Sequence, residues 1–263
     1  MIIEILIFIL CSILSGIFSG MFGLGGGAVL VPMLIFVLPM FGVEQYVLHI
    51  AVATSLVCVV FTSVSSSISH FKHDGVDFSV LKFWAPLNMI GATFGAFWTT
   101  GVDDYVIRLI YIIVMVVLCF YKLFNPSKVL FERENMNRFG LIFPAVFGWL
   151  SACIGIGGGN NVMALNLHGM GLKRAIGTSA VLGIFVSVPA VIVYIYTGLK
   201  MDINSVYNIG FINWLVLIGI IPISTLMAPF GVKLAYKIDD ELLTIFWCAI
   251  SLILVLYMIT GLV

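Results

Sequence analysis

Charged side chains are scarce in this sequence. Asp, Glu, Lys and Arg make up 9% of the 263 residues, while hydrophobic residues make up 62%. Soluble domains carry roughly 25% charged residues, so a soluble chain of this size could not bury so much apolar surface in its core. The sequence therefore predicts a membrane protein in contact with lipid, and its formal net charge of zero gives no basis for binding nucleic acid.

Paired cysteines and metal-binding spacings are also absent. Each cysteine stands alone inside an apolar run, and no CxxC motif occurs, which excludes a disulfide framework and a zinc site of the usual spacing. The cysteines are Cys11, Cys58, Cys119, Cys153 and Cys248. The four histidines do not combine with a nucleophile or a carboxylate pair, so we expect neither an enzyme nor a bound cofactor.

Long apolar runs account for most of the chain. The N-terminal "MIIEILIFILCSIL" lacks the basic start of a signal peptide, and we interpret it as a retained membrane segment. The apolar runs lie at about 3–22, 28–41, 47–70, 78–100, 104–124, 139–156, 160–170, 176–198, 208–231 and 241–262. The long polar connection, 125–138, divides the chain nearly in half and predicts an N-terminal membrane repeat (1–124), a linker and a C-terminal membrane repeat (139–263).

The two halves resemble each other in sequence. "GIFSGMFGLGGG" (16–27) aligns with "GWLSACIGIGGG" (148–159), with six identities that include all three terminal glycines. "AVATSLV", which contains Thr54 and Ser55, aligns with "AIGTSAV", which contains Thr178 and Ser179. Three matches in the same order, with Asp103–Asp104 and Asp239–Asp240 as the third, indicate an internal duplication.

The distribution of basic residues predicts the topology. The run 160–170 is too short to cross a bilayer, so we interpret each glycine-rich stretch as the tip of a broken or re-entrant helix hairpin. Each half then has an odd number of crossings, and the halves are inverted repeats. With this topology, ten of the twelve basic residues lie on the same side of the membrane. If every apolar run crossed the membrane instead, the basic residues would divide seven to five between the two sides. The shared set is Lys72, Lys82, Lys122, Lys128, Arg133, Arg138, Lys173, Arg174, Lys233 and Lys237.

Membrane proteins keep most basic loop residues in the cytoplasm. We therefore expect a multi-pass protein of the inner (cytoplasmic) membrane, with the 125–138 linker in the cytoplasm and both termini outside.

The glycine triplets predict an anion site. Broken helices survive in a membrane where they face protein or a wet cavity. The helix that begins after a break directs its unpaired N–H groups and the positive end of its dipole toward the gap. Two inverted tips that face each other describe the usual place of a transporter substrate, near mid-membrane. The predicted glycines are Gly25, Gly26, Gly27, Gly157, Gly158 and Gly159.

Neighbouring polar residues suit the same site. Asn160 and Asn161 follow the second triplet, where we expect them at the N-cap and in the first turn of the next helix, and they can donate amide N–H bonds. The Thr–Ser pairs add hydroxyl donors. The alternative interpretation is close helix packing through small residues.

Ionisable residues lie mostly at the edges of the apolar runs. We expect Asp103, Asp104 and Arg108 to pair with one another near the outer interface. Lys173–Arg174 is interpreted as an orientation signal, with attraction of anions to the inner mouth as the alternative. His49 and His168 each lie a few residues before a Thr–Ser pair and are expected to serve packing or to lie at the interface, with proton coupling as the alternative.

These motifs carry a resemblance to a known family. "GMFGLGGGAVLVPML", "HIAVATSL", "GIGGGNNVMA" and "LKRAIGTSA" are similar to the TauE/SafE sulfite-exporter family, also called the 4-toluene sulfonate uptake permease family. The resemblance implies an all-α permease with about eight transmembrane helices that moves sulfur-containing or carboxylate organic anions. It implies roles in substrate binding for both glycine triplets and both Thr–Ser pairs.

The functional hypothesis is a secondary transporter for a small oxyanion that works by alternating access, with H⁺ or Na⁺ as a candidate coupling ion and a homodimer as a candidate assembly. The sequence leaves open a channel, a non-transporting receptor or assembly subunit and, as a third class, a membrane-embedded enzyme.

Overall fold

The computed structural model describes residues 2–23, 25–124, 142–201, 203 and 207–261. The predicted linker, 125–138, therefore lies outside the described residues. Ten α-helices and one small hairpin of strands occur within the described ranges. The helices are α1 (Ile2–Phe22), α2 (Gly27–Val37), α3 (Val47–Phe71), α4 (Phe78–Thr99), α5 (Asp104–Phe124), α6 (Ile142–Ile154), α7 (Gly159–Leu167), α8 (Leu172–Gly198), α9 (Trp214–Lys237) and α10 (Asp240–Thr260). The strands are β1 (Asn208–Ile209) and β2 (Ile212–Asn213), which pair antiparallel.

The architecture is that of an all-α polytopic membrane protein. Within the described residues, five helices have the length and hydropathy of a membrane span: α3, α5, α8, α9 and α10. By contrast, α2 has 11 residues and α7 has 9. At 1.5 Å per residue these are about 16 Å and 14 Å long, too short to cross a bilayer of about 30 Å. Helix α2 is extended only by a 3₁₀ turn, Leu38–Phe41.

Apolar side chains cover the outside of the bundle. Phe94, Leu226 and Ile253 are each about two-thirds exposed, on three different helices. Polar side chains, mainly serine, threonine and asparagine, are instead fully buried between helices. This distribution matches a chain solvated by lipid, because polar groups inside a bilayer must face protein partners.

Small residues bring pairs of helices close together. The outer helix α1 packs along α9, where a side chain on Gly16 would collide with the backbone of Ser224. In the same way α6 packs along α4, where a side chain on Gly148 would collide with the backbone of Asn88. Such close approach maximises van der Waals contact where lipid provides no hydrophobic driving force.

One end of the bundle is defined by contacts of His49. This residue, near the start of α3, contacts Asp104 at the start of α5 and Thr99 at the end of α4. Arg108 of α5 donates to the carbonyl oxygen of Met258, near the end of α10, at the same end. The expected pairing of Arg108 with Asp103 and Asp104 was wrong for Asp104, because the Asp104 carboxylate binds His49 instead.

The opposite end is defined by Lys173 and Arg174, at the start of α8. Lys173 pairs with Asp240 of α10 at 3.7 Å, and Arg174 pairs with Asp77, which precedes α4, at 3.4 Å. We call the two ends the His49 end and the Lys173 end.

Candidate functional site

The first glycine stretch breaks a helix in the middle of the bundle. The chain leaves α1 at Phe22 and turns through Gly23, Gly25 and Gly26, which have φ angles of 65°, 67° and 79°. Only glycine adopts such angles without strain, so the break requires these residues. Helix α2 begins at Gly27 with no side chain capping its first turn.

The second glycine stretch breaks the chain in a similar way. After α6, Gly155 and Gly157 take φ angles of 72° and 70°. Helix α7 then begins at Gly159, with Gly158 as its N-cap residue and no capping side chain. Asn160 therefore lies in the first turn of α7, whereas the expectation that an asparagine would occupy the N-cap was wrong.

The two tips meet between α3 and α8. A side chain on Gly27 would collide with the carbonyl oxygen of Gly155, so the tips are in direct backbone contact. The carbonyl oxygen of Gly25 accepts a 2.7 Å hydrogen bond from Thr62, past the middle of α3. Gly158 packs against the backbone of Ser179 on α8.

The serines of the Thr–Ser pairs cross between the halves. Ser55 on α3 donates to the carbonyl oxygen of Gly155 at 3.0 Å, in the second glycine stretch. Ser179 on α8 donates to the carbonyl oxygen of Gly23 at 3.3 Å, in the first stretch. Each serine hydroxyl is fully buried. The structure thus brings both predicted serines to the glycine tips.

The threonines of these pairs bind elsewhere. The Thr54 hydroxyl accepts a 3.0 Å bond from the backbone N–H of Asn213, the N-cap residue of α9. The Thr178 hydroxyl accepts a 3.0 Å bond from the backbone N–H of Asp77, the N-cap residue of α4. Both threonines therefore hold the start of a long helix from the other half of the chain, a role that the sequence did not predict.

The two asparagines use their amide nitrogens within the protein. Asn160 Nδ2 donates to the Ser151 hydroxyl at 3.1 Å, and Asn161 Nδ2 donates to Asn88 Oδ1 at 3.0 Å. Both asparagines are fully buried, and their Oδ1 atoms have no hydrogen-bond partner in the described part of the chain. The site thus contains two unpartnered amide oxygens beside the second tip.

Two further serines near the tips were missed by sequence reasoning. Ser63 on α3 and Ser187 on α8 are fully buried, and within the described residues neither hydroxyl has a hydrogen-bond partner. A side chain on Gly183, beside Gly158, would meet the Ser63 hydroxyl. The signal was available, because Ser63 and Ser187 have the same spacing in sequence as Thr54 and Thr178.

A pocket opens at the Lys173 end, away from the tips. It is lined by Asp77, Val80, Leu165, His168, Gly169, Met170, Gly171 and Arg174. Burial of the Asp77 carboxyl favours its neutral form, but hydrogen bonds from Ser79 and the charge of Arg174 outweigh burial and lower its pKa. Among the described residues, no three His, Cys, Asp or Glu side chains come together as a candidate metal site.

The lipid-facing bundle, the buried polar interior and the paired helix breaks define a polytopic membrane transporter. The chain belongs to the family described as "Sulfite exporter TauE/SafE", which matches residues 8–258. This confirms the resemblance seen in the sequence motifs.

The curated relatives are membrane proteins of bacteria and an archaeon. A probable membrane transporter protein of Haemophilus influenzae is 25% identical over 221 residues, 83% of this chain and 84% of the relative. One of Methanocaldococcus jannaschii is 26% identical over 250 residues, covering 91% and 89% of the two chains. The probable membrane transporter protein YunE of Bacillus subtilis is 27% identical over 244 residues, 84% of each chain. No solved structure gave a significant match.

Proposed function

We propose that this protein is a secondary transporter that moves a small organic or sulfur-containing oxyanion across the cytoplasmic membrane by alternating access. Sulfite, a sulfonate or a related carboxylate is the substrate class. The observation that carries the proposal is the direct contact of two broken-helix tips, with a serine from each half reaching the tip of the other half.

Helix packing supports two inverted repeats, with boundaries at 1–124 and 139–263. Helix α1 packs on α9, and its counterpart α6 packs on α4. Helix α3 packs on α9, and its counterpart α8 packs on α4. The remaining large contacts join α3 to α8 and α5 to α10, each helix to its own counterpart. A pseudo-two-fold axis in the membrane plane produces this set of pairings.

The charge distribution supports the orientation. Lys173, Arg174 and Lys237 lie at or near the Lys173 end, as do the first residues after α3. Basic loop residues favour the cytoplasm, which assigns the Lys173 end to the inside and the His49 end to the outside.

The tips provide donors for an anion once the halves separate. In the arrangement described here, Ser55 and Ser179 donate to glycine carbonyl oxygens. Rocking of one repeat against the other breaks these cross-repeat bonds. Each hydroxyl then keeps a carbonyl partner only within its own half, Val52 at 2.7 Å for Ser55 and Gly158 at 2.5 Å for Ser179, and an anion would have to compete with that partner. The N-termini of α2 and α7 carry no capping side chain, so their backbone N–H groups are available to an oxyanion.

The asparagine side chains can contribute to anion binding if their amide groups rotate. The Ser151 hydroxyl can donate as well as accept. If the amide of Asn160 rotates by 180°, the bond to Ser151 is retained and Nδ2 takes the position of the unpartnered Oδ1. An anion beside Nδ2 would then accept a hydrogen bond from the amide. The Oδ1 atom of Asn160, which has no partner among the described residues, would accept from Ser151 instead.

The experiment is a ligand screen on purified protein. Thermal shifts are measured with sulfite, sulfonates, thiosulfate and short carboxylates. A stabilising anion should bind more weakly to Asn160→Leu and Ser179→Ala proteins, and equally well to Thr93→Ala, whose exposed hydroxyl bonds only to Met89 of its own helix. Unchanged affinity in both site variants would show that the site lies elsewhere.

Flux measurements distinguish the remaining alternatives. In proteoliposomes, a transporter should exchange the anion with saturation and without a matching ionic current, whereas a channel conducts. A receptor would bind the anion without moving it.

A further inference from the structure

One of the aligned positions at which the starts of α3 and α8 differ carries an ionisable residue in both halves. "LHIAVATS" begins at Leu48 and "LKRAIGTS" begins at Leu172, so His49 corresponds to Lys173. Each residue pairs with the aspartate that begins the last helix of its own half: His49 with Asp104, and Lys173 with Asp240. The two ends of the bundle therefore carry equivalent ion pairs, one titratable and one with a lysine.

The two contacts of His49 are both satisfied only by a doubly protonated ring. Its Nδ1 lies 2.7 Å from the Asp104 carboxylate, and its Nε2 lies 3.0 Å from the backbone carbonyl oxygen of Thr99. Both partners are acceptors, and a neutral imidazole has only one N–H group. The imidazolium form satisfies both acceptors, whereas the neutral form leaves one nitrogen lone pair facing an oxygen.

The groups around His49 come from every packed element. Asp104 is the charged group from α5, and α4 contributes the Thr99 carbonyl. Tyr46, just before α3, meets the ring edge-on, and Phe211 stacks on it from the β1–β2 hairpin. The His49 side chain is almost fully buried, so its charge depends on these partners.

The Asp104 carboxylate also contacts the first turn of α3. Its second carboxylate oxygen accepts a 3.3 Å hydrogen bond from the backbone N–H of Leu48. Protonated His49 thus joins three helices at one point: α3 through its own backbone, α4 through Thr99 and α5 through Asp104.

We propose that His49 is a proton-binding site that fastens α3 to α4 and α5 at the His49 end, and that losing this proton releases the fastening. Its link to transport rests on the proposed function, in which the His49 end faces the outside. A proton from outside would then hold α3, α4 and α5 together at that end. The Lys173–Asp240 pair is longer and more exposed and contains no imidazole, so it gives the Lys173 end no such control.

The sign of the pH dependence follows from the hydrogen bonds. The folded protein gains both bonds when His49 is protonated, so the stabilisation is present at low pH and is lost as pH rises through the range in which histidine titrates, about 5 to 8. Loss of a charged hydrogen bond should lower the unfolding midpoint by about 5 °C.

The test compares thermal unfolding midpoints between about pH 5 and 8. The wild type should lose its extra stability as pH rises. His49→Lys, which copies Lys173, and His49→Gln should both lack this loss of stability, and His49→Gln should also be less stable at low pH. His73→Gln, an exposed histidine at the other end, should follow the wild type. Asp104→Asn provides a second way to remove the pair if the His49 variants fold poorly, and it should also abolish the pH slope.

A wild-type slope that persists in His49→Gln and Asp104→Asn would overturn the proposal. The unfolding profile uses no substrate, so it decides the proton site whether or not an anion is transported. In proteoliposomes with sulfite as the probe, raising the outside pH from about 5 to 8 should change wild-type flux about tenfold and His49→Lys flux less than twofold. Absence of any sulfite flux would count against the proposed function and leave the unfolding result intact.

Discussion

The Ser55 hydroxyl and the carbonyl oxygen of Gly155 lie 3.0 Å apart, although the residues are 100 positions apart in the chain. A reciprocal bond joins Ser179 to Gly23. The two halves of the chain are therefore joined at their helix breaks by Ser55 and Ser179. An oxyanion that enters between the tips has to replace these two bonds.

Ser55→Ala should destabilise the protein because it leaves the buried carbonyl oxygen of Gly155 without this donor. The expected loss in free energy of unfolding is about 1–3 kcal/mol. Reversible denaturation in detergent measures it, with Thr93→Ala as the matched exposed control. Equal stability of the two variants would show that the Ser55 bond contributes nothing.

Gly27→Ala should prevent folding or strongly impair it, because its new methyl group would collide with the carbonyl oxygen of Gly155 at the tip contact. Overpacking of this kind costs about 1–3 kcal/mol, and more where backbone must move. Gly171→Ala is the matched control, since Gly171 has ordinary dihedral angles and no atom within 4 Å of an added Cβ. Expression yield and size-exclusion profiles of both variants test the expectation; a well-behaved Gly27→Ala protein would contradict the tight contact.

Arg174→Gln should reduce stability at neutral pH but not in acid. Arg174 contributes to the lowered pKa of Asp77, so its stabilisation is present above the ordinary Asp pKa of about 3.9 and is lost as pH falls through the folded value. The difference in unfolding midpoint between wild type and Arg174→Gln should therefore shrink as pH is lowered from about 6 to 3. A constant difference for Arg174→Gln across this pH range would refute the assignment.

Cysteine labelling tests the orientation. In a protein whose native cysteines are replaced, Lys200→Cys should react with an impermeant thiol reagent in intact cells. Lys72→Cys, exposed at the opposite end, should react only after permeabilisation, and so should Lys128→Cys in the linker. The reverse pattern would invert the orientation proposed here.

Much of the fold could be predicted from local sequence. Runs of apolar residues gave the long helices, since composition alone decides which segments lipid can solvate. Helix α5 begins at Asp104 and ends at Phe124, as its apolar run predicted. The glycine triplets gave both helix breaks, because the positive φ angles of Gly26 and Gly157 require that residue type.

The partners of polar side chains could not be predicted in the same way. Thr54 binds the start of α9, 159 positions away, and His49 binds Asp104, 55 positions away. Such pairs depend on how the helices pack, which local periodicity does not specify. The repeat alignment carried part of this information, since it relates Ser63 to Ser187 and His49 to Lys173.

The central claim is that an oxyanion binds between the two glycine tips, and locating the anion tests it most directly. Selenite, the selenium analogue of sulfite, can be placed in a crystal of the protein by its anomalous scattering. A selenium peak should appear within hydrogen-bonding reach of Gly26–Gly27 and Gly158–Asn160, with the tips moved apart. A peak only in the pocket beside Arg174 and His168, with Gly27 and Gly155 still in contact, would contradict it.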